Sequence, residues 1–152
     1  MAKKKTTPST IAKDIPATHP DLASYGADLV EWPNSWMGVE KDIPPGEQLI
    51  ACFRPFLEQL VSSDLSRKTI RKHIGNLWVL GGELVRDMNE TPKLRKLPAK
   101  DLLLKALDEE GGPLIHHGSE EEQRSFDSTC RKLFHFLSGP KIRRFGLRSS
   151  PN

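Results

Sequence analysis

The sequence is sparing with reactive and framework-building residues. Two cysteines, Cys52 and Cys130, are too few among 152 residues for a disulfide framework, and both fall on apolar helical faces, where they read as buried free thiols. No apolar run approaches the roughly 18–20 residues needed to cross a bilayer, which excludes a spanning helix. Lys3, Lys4 and Lys5 could open a signal peptide, but Thr6-Thr7-Pro8-Ser9-Thr10 follows where an apolar stretch is needed, so a cytoplasmic location is expected. Strand-like alternation is missing at any useful length. There is no Cys-x-x-Cys or His-x-x-x-His spacing and no Gly-x-Ser-x-Gly elbow, and Gly81-Gly82 lies inside an apolar helical pattern rather than in a phosphate-cradling loop after a strand. His116-His117, with His135 and Cys130 possible neighbours, lacks metal-ligand spacing. No metal, no cofactor and no catalytic residue are therefore expected.

With 36% hydrophobic and 28% charged residues, the chain has enough apolar surface to bury a core and suits one domain with tails. The formal net charge of +3 conceals a sharp alternation along the chain. Residues 1–13 carry four lysines and no acid, while residues 14–64 carry nine acids against Lys41 and Arg54. Residues 65–105 hold ten basic and four acidic side chains, and residues 106–122 hold six acids and no base. Residues 123–152 hold seven basic side chains against Asp127. Two separate basic segments thus point to an anionic partner more strongly than the total does.

Residues 1–45 are rich in proline without a sustained period and read as an N-terminal extension, partly disordered, in which 21–31 could form one short helix. Trp32 and Trp36 flank a Pro33-Asn34 turn signal and are too apolar to stay free, so they should dock on the main domain or on a partner. From residue 46 four helices follow. The first buries Leu49, Ile50, Phe53, Phe56, Leu57, Leu60 and Val61, with Pro55 expected to kink or restart it. Ser66 caps a second helix whose apolar positions are Ile70, Ile74, Leu77, Trp78, Leu84, Val85 and Met88. Gly81-Gly82 costs this helix about 1 kcal/mol each relative to alanine, which points to close packing or a bend. A basic linker, 89–98, leads to a short third helix with Leu102, Leu103, Ala106 and Leu107 on its buried side. Ser119 and Glu122 match a capping box at the start of the fourth, which buries Phe126, Cys130, Leu133, Phe134 and Leu137 and should stop at Ser138-Gly139-Pro140. The expected fold is all-α: a compact four-helix bundle over residues 46–138, with a basic tail at 139–152.

Arg67, Lys68, Arg71 and Lys72 crowd the first turns of the second helix, where the macrodipole favours negative charge. On the fourth helix Arg124, Arg131 and Lys132 face away from the apolar side, and Lys141, Arg143, Arg144 and Arg148 follow around Phe145. If the two basic faces converge, they could straddle a duplex and contact phosphates.

The run Phe56-Leu57-Glu58-Gln59-Leu60, then Leu65-Ser66-Arg67-Lys68-Thr69-Ile70 and a long apolar-periodic helix, resembles the core-binding, SAM-like domain of tyrosine recombinases (phage integrases). The resemblance extends through the short third helix to the ending Phe134-His135-Phe136-Leu137, covering about residues 46–138. The chain also resembles bacterial proteins without an assigned function. The recombinase likeness implies double-stranded DNA as partner, gripped by Arg67, Lys68, Arg71 and Lys72 together with Arg124, Arg131 and Lys132. Recombinases carry their nucleophilic tyrosine in a larger C-terminal domain. Here the one tyrosine is Tyr25, and only 139–152 follow the fourth helix, so strand cleavage by this chain is not expected. The resulting expectation is a non-catalytic DNA-binding module, linked to mobile or phage-derived DNA. The alternative is a protein-interaction adaptor or regulator whose charge alternation serves docking, with Trp32 and Trp36 as anchors.

Overall fold

The protein is described by a computed structural model covering residues 22–25 and 28–148, with residues 140–148 described as backbone. The described chain is all-α. Two short 3-10 turns, Leu22–Tyr25 and Leu29–Glu31, lead into five α-helices: α1 (Trp32–Trp36), α2 (Ile43–Val61), α3 (Arg67–Glu90), α4 (Ala99–Ala106) and α5 (Glu120–Arg148). An isolated bridge between Asp108 and Gly111 is the nearest approach to a strand among the described residues.

Helix α2 lies at the centre, packed on α1, α3 and α4, while α5 closes the bundle against α3 and α4. Phe53, Leu49 and Leu57 of α2 meet Ile70, Leu77 and Leu80 of α3 and Phe126 and Leu133 of α5 in a core where all are fully buried. Each such side chain contributes about 1.5–3 kcal/mol by leaving water. The Phe56 and Phe136 rings, 5.5 Å apart, tie α2 to the far part of α5.

Several local expectations give way to tertiary packing. Residues 21–31 do not form one helix; the described part makes the two 3-10 turns instead. The Pro33-Asn34 turn signal becomes the single helical turn α1, with proline near its start, where a missing N–H costs nothing. Trp32 is buried and Trp36 lies against Phe53 and across α3. A Cβ on Gly81 would collide with the Trp36 ring, so the bare glycine is what admits that contact. Trp78 is not a core residue: it is 44% exposed, its indole N–H donating to Ser35 Oγ at 3.0 Å. Helix α2 runs unbroken through Pro55, and α5 passes through Gly139-Pro140 instead of ending there.

The linker 89–98 is also less passive than its composition indicates. Arg95, from a 3-10 turn at Pro92–Lys96, reaches back to the buried Asp42 at 3.0 Å. Asp42 Oδ2 also accepts from the Gly38 and Val39 amides and from Asn89 Nδ2. Burial pushes this carboxyl toward a higher pKa, but the hydrogen bonds, Asn89 foremost, outweigh it and hold the group below its usual value.

Candidate nucleic-acid interface

Ser66 caps α3 with its side-chain oxygen, accepting from the Thr69 amide at 3.1 Å, and no acid occupies the first turn. The dipole's positive end is thus left to four cations, an arrangement that costs stability rather than adding it. All four are exposed. They do not form one undivided face. Arg67 and Arg71 turn toward the N-terminal segment, where the Arg67 guanidinium sits 4.4 Å above the Tyr25 ring and that of Arg71 lies 5.9 Å from it. Arg67 also donates to the Ser24 carbonyl at 3.3 Å.

Lys68 and Lys72 point outward, and Lys72 borders the seam between α3 and α5. That seam is polar at its heart. Asn76 Nδ2 donates to Thr129 Oγ1 at 2.8 Å and to the carbonyl and hydroxyl of Ser125 at 3.1 and 3.2 Å. His73 Nδ1 lies 2.6 Å from the same Thr129 oxygen, while its Nε2 is buried without a partner among the described residues. Burial first, and then the charge of Lys132, lower the His73 pKa, so the imidazole is neutral at pH 7. The pairings 73 with 129 and 76 with 125 make α3 and α5 antiparallel. Lys132 of α5 is close enough to His73 for its charge to be felt there.

Arg124 and Arg131, seven residues apart, share a different side of α5 that looks over the 108–118 loop. Arg124 lines a shallow groove of about 340 Å³ with Leu114, His117 and Asp127, and Arg131 donates to the Glu110 carbonyl at 3.3 Å. The seven predicted residues therefore fall into three neighbouring groups. Because buried Thr129 and His73 close the seam, α3 and α5 do not stand apart as two jaws around a duplex. Their cations lie on the outer flanks of a closed seam, on the Tyr25 side, along the seam and on the loop side. Lys141, Arg143, Arg144, Arg148 and the N-terminal lysines lie outside the residues whose side chains are described.

Side-chain ion pairs lie elsewhere. Among the described residues they join Arg86 to Glu90 and Arg95 to Asp42, the Glu122 carboxylate lies 3.4 Å from His116 Nδ1, and none of these contacts involves the seven cations. The Ser119 cap forms, accepting from the Glu122 amide at 3.1 Å, but the Glu122 carboxylate turns to His116 Nδ1 at 3.4 Å instead of completing the capping box. An open cleft of about 490 Å³ separates Lys72 from Glu121 and Glu122. Cys130 is fully buried and its thiol is pushed up to about 12 by burial and by Asp127, which leaves no thiolate for nucleophilic chemistry. No group of three His, Cys, Asp or Glu residues suited to a metal ion occurs among the described residues.

Tyr25 as a partner for Arg67 and Arg71, and the His73–Thr129–Asn76 cluster, are the features that sequence patterning misses. The latter left a faint signal: polar residues three and four apart on the flank of each apolar stripe. No family model, curated protein or solved structure matches the chain.

Proposed function

We propose that this chain is a non-catalytic DNA-binding module that holds the phosphate backbone with the basic end of the α3–α5 surface. The observation that carries the reading is the state of its cations. Lys68, Lys72, Arg124 and Lys132 are exposed with no carboxylate in ion-pair range among the described residues, while Arg86 and Arg95 each have one. Four positive charges at a helix N-terminus oppose the dipole, and an anionic ligand relieves that conflict. The absence of a jaw-like gap makes this a surface that lies along a polyanion. The resemblance to the recombinase core-binding domain adds support for DNA, and for mobile or phage-derived DNA. No helix among the described residues is long and apolar enough to cross a membrane.

Neutralising about four to six phosphates gives a log–log salt slope of roughly −4 to −5. Gel-shift titration at low salt should show that replacing Arg67, Lys68, Arg71 and Lys72 together by alanine weakens duplex binding and flattens the slope, with helicity retained. Unchanged affinity in that variant discards the assignment. A second reading, a protein-interaction adaptor, draws on Val30, Met37 and Val39, which are exposed around α1. A stoichiometric protein partner together with no DNA shift at low salt would favour it.

A further inference from the structure

Arg67, Arg71 and Trp78 fall within about 40° of arc on one side of α3 and span about 16 Å along its axis. Between Arg71 and Trp78 along the axis lies Gly75, exposed, where a Cβ would meet nothing within 4 Å, so the helix surface there is open backbone with no side chain over it. Trp78 is 44% exposed and has no ring partner among the described residues. It is nonetheless fixed at its edge: the indole N–H donates to Ser35 Oγ at 3.0 Å, and the Trp36 indole donates to the Trp78 carbonyl at 2.9 Å. An exposed tryptophan held at its edge, one to three turns from four cations on the same helix, is costly as ordinary surface.

We infer that Trp78, with the open helix surface at Gly75 beside it, forms a stacking platform for an unpaired nucleobase, and that the preferred ligand is single-stranded DNA. The inference rests on the phosphate-binding reading and names its substrate class. Phosphates lie along Arg67, Lys68, Arg71 and Lys72, and the attached base turns inward onto the indole face. In a duplex the bases are stacked on one another and do not reach the indole. Charge complementarity selects a nucleic acid over an apolar peptide for this site, because the indole shares its side of α3 with Arg67 and Arg71 and not with other exposed apolar groups of that helix.

The test compares three probes at equal phosphate number and low salt: a thymidine 20-mer, the same oligomer with abasic sites throughout, and a blunt duplex. Stacking predicts that the thymidine strand binds at least about tenfold more tightly than the abasic strand. Trp78→Ala should bring that ratio close to one. Gly75→Leu, which sets a side chain on the open helix surface one turn from the indole, should do the same while leaving the fold intact by circular dichroism; this variant separates stacking from a structural role of Trp78. The quadruple alanine variant at 67, 68, 71 and 72 should weaken every probe. Equal binding of thymidine and abasic strands, or a ratio indifferent to both Trp78→Ala and Gly75→Leu, overturns the platform and leaves the phosphate reading standing. No binding of any probe at low salt overturns both.

Discussion

Trp36 and two glycines of α3 show how one atom decides between opposite outcomes. The Trp36 ring is held by Trp32 and Phe53 and by its hydrogen bond to the Trp78 carbonyl, so it has little room to retreat from Gly81. Alanine at 81 gains about 1 kcal/mol of helix propensity but forces overpacking worth about 1–3 kcal/mol. The clash wins. Gly81→Ala should lower the urea midpoint, whereas Gly75→Ala, facing open space on the same helix, should raise it. Equal shifts of the two variants would show that Trp36 does not press on α3. Trp78, three residues before Gly81, obeys the apolar period yet stays exposed, because α1 occupies the adjoining surface and offers it Ser35 as a partner.

At the scale of elements, the long helices are legible because each carries a wide apolar stripe with a cap or a breaker at its ends. Ser66 before α3 and Ser119 before α5 work as caps through their side-chain oxygens. Two breakers do not break: Pro55 and Pro140 stand inside helices whose packing or length overrides the lost hydrogen bond. What the pattern cannot show is which flanks meet. The α3–α5 seam is such a case, since His73, Asn76, Ser125 and Thr129 read as ordinary flank residues until the helices are antiparallel and in register. Its energetics are testable. Thr129→Val removes the partner of His73 Nδ1 and one of the three acceptors of Asn76 Nδ2, and leaving the buried His73 nitrogen unpaired costs about 1–3 kcal/mol. The seam also carries a pH signature. Folded His73 has a lowered pKa, so below about 6.5 the unfolded chain takes up a proton that the folded chain refuses. Stability should therefore fall as pH drops from 7 until the folded histidine itself titrates. Thermal melts at pH 7.5 and 5.5 should show a smaller decline for His73→Gln than for the wild type; identical declines would place the titration elsewhere.

Across the whole molecule, the alternating charge of the sequence becomes a gradient along one surface. Antiparallel packing sets the cation-rich start of α3 toward Lys132, and sets the acid-rich start of α5 across a cleft from Lys72 and Asn76, while Glu83 and Asp87 in the last third of α3 lie near Leu114 and His117. The seven candidate cations are legible in the sequence as residue types and helix faces. Their division among the Tyr25 contact, the seam and the loop side depends on tertiary geometry that composition does not carry. The gradient has a consequence for binding. Glu120, Glu121 and Glu122 are exposed and stabilise the α5 N-terminus by about 0.3–1 kcal/mol each through the dipole, but their field also repels a polyanion lying along the seam. Glu121→Gln with Glu122→Gln should lower the melting temperature slightly and tighten low-salt DNA binding, with the gain in affinity vanishing near 1 M salt, where the Debye length is about 3 Å. Anisotropy titrations across salt concentration measure both. If the double variant binds no more tightly at any salt, the nucleic acid does not approach the acidic end, and its path must be confined to the lysines and arginines at the start of α3.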